Sequence, residues 1–341
     1  MEKVYDKIMA TLKNRIMIID GAMGTNIQKY KLSEEEYRGE EFKNYNKSLQ
    51  GNNDLLCITK PEVIKAIHRG FLEAGADIIE TGTLCSSSLN QMEYGLEDYA
   101  YEMTLAGAKI AREIVDEFNI KTPNKPRYVA GSIGPTSKML SVSVDVDLPG
   151  KREISYDDLH KAYKEQIRAL IDGGSDLILV ETIFDTMNCK VAIAALEELK
   201  QERGIDMPLM ISCSIDQSGR LLSGQTLEAF LVSVEHATEL ISVGLNCSFG
   251  PEQMLSFCKD FSKYSSLPLS IYPNAGMPNE FGQYDMTSDE MGDIMKAYLD
   301  QKIVNMIGGC CGSSHEHIKV IADLANTYEP REFETKEVLL G

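Results

Sequence analysis

Short apolar runs alternate with amphipathic helical stretches along nearly the whole chain, and this alternation leaves few folds open. The runs fall at 16–19, 76–81, 127–133, 176–182, 208–215, 240–246, 267–272 and 303–307, and a helical pattern follows each one. Strict alternation requires parallel strands joined by crossover helices. Eight repeats favour an α/β chain closed into a (β/α)8 TIM barrel, because eight strands complete a ring; an open doubly wound sheet is the competing arrangement. Residues 1–15 read as an amphipathic helix ahead of the first strand. The expected organisation is a barrel over 1–328 and a linker or tail over 329–341. Val338-Leu339-Leu340-Gly341 stops on apolar residues, as if a further module followed.

Two helix starts carry the Ser/Thr-x-x-Glu spacing of a capping box, Thr59 with Glu62 and Ser313 with Glu316. Pro61 suits a first helical turn, and Val63, Ile64, Ile67, Phe71 and Leu72 line one face behind it. The charged, tyrosine-bearing segment from Asn26 to Thr59 is too long for an ordinary barrel loop, so it is either functional or disordered. A formal net charge of −18 argues against nucleic acid and anionic membranes as partners. No apolar run reaches membrane-spanning length, and the N-terminus lacks a signal-peptide core. Eight cysteines without framework spacing point to reduced thiols and a cytoplasmic protein.

A barrel of this kind does its chemistry at the C-terminal ends of its strands. The residues there include Asp20 and Gly21, Glu80 and Thr81, Gly131-Ser132-Ile133-Gly134, Glu181-Thr182, Asn246-Cys247, Pro273-Asn274 and Gly308-Gly309-Cys310-Cys311-Gly312. Adjacent cysteines hardly form an unstrained disulfide with each other. Cys247, Cys310 and Cys311 instead converge from strands six and eight, and three thiolates with an open fourth position suit a catalytic zinc. Other chemistries compete. The glycine-rich turn could cradle a phosphate, the cysteine pair could be redox-active or packed, and Glu80 with Glu181 could form an acid/base pair of glycosidase type. His315 and His317 could serve as ligands, but histidines in a first helical turn read more readily as solvated. Cys57, Cys85, Cys189, Cys213 and Cys258 read as packing residues.

With these motifs assembled, the chain resembles the homocysteine S-methyltransferase family. The motifs are Asp20-Gly-Ala-Met-Gly-Thr25, Gly131-Ser-Ile-Gly-Pro135, Glu181-Thr-Ile-Phe-Asp185, Gly244-Leu-Asn-Cys247 and Gly308-Gly-Cys-Cys-Gly312. Within the family it is most similar to the homocysteine-binding module of cobalamin-dependent methionine synthases. That finer likeness rests on Tyr37-Arg-Gly-Glu40, Gly51-Asn-Asn-Asp-Leu-Leu56, Ser223-Gly-Gln-Thr226 and Pro273-Asn-Ala-Gly276. Gly82-Thr83-Leu84 departs from the family's Asn-Thr-Phe. The resemblance implies a catalytic Zn2+ on Cys247, Cys310 and Cys311, with Asn274 in the fourth position when substrate is absent. It implies L-homocysteine as substrate, its ammonium on Asp20 and Glu181 and its carboxylate at backbone N–H groups near Gly21 and Ser132. It further implies methylcobalamin as donor and folate-, cobalamin- and reactivation-type modules as partners. No Asp-x-His-x-x-Gly cobalamin motif occurs in the chain, so the cobalamin would sit elsewhere. The alternatives are a stand-alone methyltransferase using betaine or S-methylmethionine, and a non-catalytic barrel with a structural zinc.

Overall fold

The computed structural model describes residues 2–334. Its eight parallel strands are β1 Met17–Ile18, β2 Ile78–Glu80, β3 Tyr128–Ile133, β4 Leu177–Ile183, β5 Leu209–Cys213, β6 Leu240–Asn246, β7 Leu269–Tyr272 and β8 Met306–Ile307. They pair in the order β1-β8-β7-β6-β5-β4-β3-β2. A parallel bridge between Ile19 and Ile78 joins the two edges of this sheet, which therefore curls into a (β/α)8 barrel. The helices are α1 Val4–Asn14, α2 Met23–Gln28, α3 Glu34–Arg38, α4 Leu56–Thr59, α5 Pro61–Ala74, α6 Ser88–Gln91 and α7 Ala100–Lys121. After them come α8 Tyr156–Asp172, α9 Thr186–Arg203, α10 Leu227–Val234, α11 Pro251–Tyr264, α12 Ser288–Asp300 and α13 His315–Ala325. Among the described residues, no helix is long and apolar enough to cross a membrane.

Strand alternation sorts the apolar residues into two layers. Met17, Ile19, Ile78, Leu177, Leu179, Met210 and Met306 fill the barrel, and Ile8 and Leu12 of α1 close it from below. Ile178, Val180, Ile211, Val243 and Ile271 face outward against the helices. In β4 the inward series 177, 179 continues to Glu181, which is how a carboxylate reaches the inner mouth. The helices follow the same logic: Ile64, Ile67 and Phe71 of α5 are fully buried, each worth about 1.5–3 kcal/mol. At the barrel floor the buried Asp77 accepts two bonds from Arg15, at 2.7 and 2.9 Å, and one from the Ile18 N–H.

Several local expectations are corrected. The 26–59 segment is ordered, folding into α2, α3, a 3-10 turn over Asn53–Leu55 and α4. Ser33, not Thr59, carries the capping box there; Thr59 belongs to α4 and its hydroxyl donates back to the Leu55 carbonyl. The last helix starts one residue later than its spacing suggests, with Ser314 as N-cap and His317 closing the box. Ser313 is thereby released for other bonds. His317 is buried and bonds the Met286 carbonyl, while His315 sits edge-on to Phe71. Of the tail, residues 329–334 run beneath the barrel, where the Arg331 guanidinium donates to the carbonyls of Ser262, Ser265 and Leu267. The expected linker residues 335–341 lie outside the described residues.

Candidate metal centre and adjoining pocket

Cys247 leaves β6 in a left-handed backbone conformation (φ 57°), which is uncommon for a residue with a β-carbon and turns its sulfur toward β8. Cys310 and Cys311 follow β8 directly, on the turn that leads into α13. The three sulfurs lie within 4.8 Å of one another, Cys247 Sγ and Cys311 Sγ at 3.5 Å, and none is in a disulfide. The turn that carries the pair is held from several sides. Cys310 N–H donates to the Pro273 carbonyl at 2.8 Å and Gly312 N–H to Thr25 Oγ1 at 2.9 Å. The freed Ser313 hydroxyl donates to the Cys310 carbonyl at 2.6 Å and accepts from the Ala22 N–H. A β-carbon on Gly308 would stand 2.7 Å from the Ile19 carbonyl oxygen, so glycine there lets the turn press against the end of β1. Hydrogen bonds from Cys247 and Cys310 hold the Cys311 sulfur far below the usual thiol range, at about 3. The same mutual bonds raise the Cys247 and Cys310 thiols, so the cluster by itself favours one thiolate beside two thiols.

Asn274 stands at the end of β7, between the two cysteine-bearing strands. Its amide donates to the Cys247 carbonyl at 3.1 Å, and its Oδ1 is buried without a hydrogen-bond partner. Three soft sulfurs and an orphaned oxygen beside them fit a tetrahedral zinc site better than a magnesium or calcium site.

A cavity of about 550 Å3 opens beside the sulfurs. Asp20, Asp54, Glu80, Glu93 and Glu181 line it, and among the described residues no lysine, arginine or histidine does. Glu181 accepts from the Ser132 hydroxyl at 2.5 Å and from Asn246 Nδ2 at 3.4 Å. Burial lifts its carboxyl to about 7, against the Ser132 hydrogen bond. Burial also raises Asp20, whose Oδ2 accepts the Glu80 N–H while Oδ1 has no partner. Glu80 is raised by burial and then by the charges of Glu181 and Asp20. Burial and crowding thus favour the protonated forms of these carboxyls, and a cationic group entering the pocket would favour their ionised forms.

Of the sequence-predicted residues, Cys247, Cys310, Cys311, Asp20, Gly21, Ser132 and Glu181 all line this cavity, and Asn274 borders the cluster from β7. Ser132 differs in one respect: its N–H is committed to Thr81 Oγ1 at 2.9 Å, so its contribution runs through the hydroxyl on Glu181. The Gly21 N–H meets no acceptor among the described residues. Cys57, Cys189, Cys213 and Cys258 are buried, as packing residues should be, but Cys85 is exposed and lines the cavity. Sequence reasoning places Asn246 at a strand tip but gives it no role, although this residue joins the whole site. It accepts from the Thr182 N–H and the Ser212 hydroxyl, and donates to Thr182 Oγ1 and toward Glu181. Its place immediately before Cys247 on an inward strand position is the available signal.

The fold and the cluster together define a (β/α)8 barrel with a three-cysteine cluster able to hold a metal ion beside an acidic pocket. Residues 17–325 match the sequence model of the homocysteine S-methyltransferase family, and the chain belongs to that family of enzymes. Among solved structures it is similar to the homocysteine methyltransferase MmuM of Escherichia coli. The metallated form shares 21% identity at a TM-score of 0.69, over 92% of this chain and 98% of that one. The oxidized form gives 21% and 0.68 over 90% and 95%, and the apo form 20% and 0.64 over 92% and 97%. At these identities the likeness speaks for the fold.

Proposed function

We propose that Cys247, Cys310 and Cys311 hold a zinc ion and that the chain methylates the thiol of L-homocysteine to give methionine. The observation that carries this reading is the meeting of three sulfurs within 4.8 Å with a pocket lined by acidic side chains and, among the described residues, by no basic one. A free thiol is mostly protonated at neutral pH. Zinc, when bound, supplies the Lewis acidity that keeps a ligating thiol ionised. The protein's own residues bind and orient the substrate. Asp20 Oδ1 and Glu181 receive the ammonium, the Gly21 N–H faces the carboxylate, and Asn246 and Ser132 fix Glu181. Asn274, whose Oδ1 has no partner among the described residues, would be the further residue to hold the ion in the absence of substrate.

For the donor, the cavity's five carboxylates favour a small onium compound of the betaine or S-methylmethionine type. A second reading is methylcobalamin carried on another module, with folate- and reactivation-type modules beside it. It is favoured by the Gly51–Leu56 motif, whose Asn52, Asn53 and Asp54 line the cavity. Methionine formation from homocysteine, measured separately with S-methylmethionine, betaine and methylcobalamin, decides between them. Turnover with an onium donor alone supports the first, turnover with methylcobalamin alone the second. Zinc-loaded protein that binds no homocysteine would overturn both.

A further inference from the structure

The segment between β7 and α12 passes over the cysteine pair and is tied down along its length. Ala275 N–H donates to the Cys311 carbonyl at 2.8 Å, and the Met286 carbonyl meets the His317 ring at 3.0 Å. Between these anchors, Asn279 Oδ1 accepts the N–H groups of Phe281 and Gln283, both at 2.9 Å. The strap brings Tyr284 against the cluster. Its side chain packs on the α-carbon of Gly312, where a β-carbon would stand 2.4 Å from Tyr284 Cβ and Cγ. Gly312 also has φ +82°, so two independent features reserve that position for glycine. Across the gap, the Tyr284 phenol lies within the electrostatic reach of the three cysteine sulfurs, Cys311 the strongest of them.

We propose that Tyr284 is a positioning residue of the metal centre: its phenol O–H donates to Cys311 Sγ through space that only a glycine at 312 leaves open. The inference rests on the three-cysteine metal reading above. A hydrogen bond to a ligating sulfur fixes the direction of its lone pairs and lowers their energy. The sulfur then gives less charge to a bound metal, which leaves the open position better able to hold an incoming thiolate.

Cobalt(II) is the probe, because sulfur-to-cobalt charge-transfer absorption reports the sulfur lone-pair energy directly. Tyr284→Phe keeps the ring and removes only the hydroxyl. In the cobalt-loaded variant the charge-transfer band should move to lower energy. Zinc affinity, by chelator competition, should fall about 10- to 100-fold. Gly312→Ala, which displaces the ring, should reproduce the band shift. An unshifted band in Tyr284→Phe overturns the proposal while leaving the metal reading intact, even if affinity drops, because loop packing alone would then be responsible. Wild-type protein that takes up neither metal would overturn the metal reading and this inference together.

Discussion

Replacing Glu181 with glutamine should move stability and substrate binding in opposite directions. The carboxyl sits at about 7 rather than 4.5, chiefly because burial removes its water. An acid raised on folding keeps its proton in the folded chain between those values and loses it in the unfolded one. Stability contributed by this group therefore falls as pH rises from 4.5 to about 7, and the cost is complete above that. At about 1.4 kcal/mol per pH unit that cost is on the order of 3 kcal/mol. Glutamine has the shape of the protonated acid and can still accept from the Ser132 hydroxyl. Glu181→Gln should thus be about 1–3 kcal/mol more stable than wild type at about pH 8, the difference closing toward about pH 5. Homocysteine binding should weaken by about 10- to 150-fold, the worth of one charge-assisted hydrogen bond. Urea unfolding at both pH values measures the first effect. Calorimetric titration with homocysteine and with 3-mercaptopropionate, which lacks the amino group, measures the second. A variant less stable than wild type at the higher pH, or one that weakens both ligands equally, would refute the reasoning.

Purified protein should carry about one zinc per chain, and Cys247→Ala, Cys310→Ala and Cys311→Ala should each reduce it sharply by metal analysis. Asp20→Asn should leave zinc content intact while homocysteine affinity drops in calorimetry, since Oδ1 has no partner among the described residues to lose. Gly244→Ala should lower stability by about 1–3 kcal/mol in urea unfolding, because its β-carbon would lie 2.0 Å from the Ser270 carbonyl oxygen of the next strand.

The barrel is legible in the sequence because its signal is repeated: each apolar run and helix face restates the same alternation. The sulfur ligands are legible because adjacent cysteines on a glycine turn have few other uses. Side-chain direction at strand ends is harder to read. Glu80 and Glu181 occupy equivalent strand tips in the sequence, yet only the register of β4 and the Asn246 amide show how Glu181 is held. Ser132 shows the same limit, for whether its N–H is free depends on Thr81 from a neighbouring strand. Tyr284 carries no spacing signal at all, since it meets Cys311 through a long connection and a missing β-carbon.

The first and last strands of the barrel lie side by side, and this has a consequence for how the protein matures. Only two residue pairs, Met17 with Met306 and Ile18 with Ile307, join β1 to β8. The bond from Ala22 N–H to Ser313 Oγ beside them spans 291 positions. Contacts of such separation form late, after the chain has lost the entropy of closing its largest loop. Cys310 and Cys311 emerge just beyond this seam, so a nascent chain holds one of the three sulfurs until its eighth strand has been made. Metal capture at this site would then be a late event, and a metal held across β6 and β8 would fasten the last three strands together on one side of the seam, as the edge against which β1 closes.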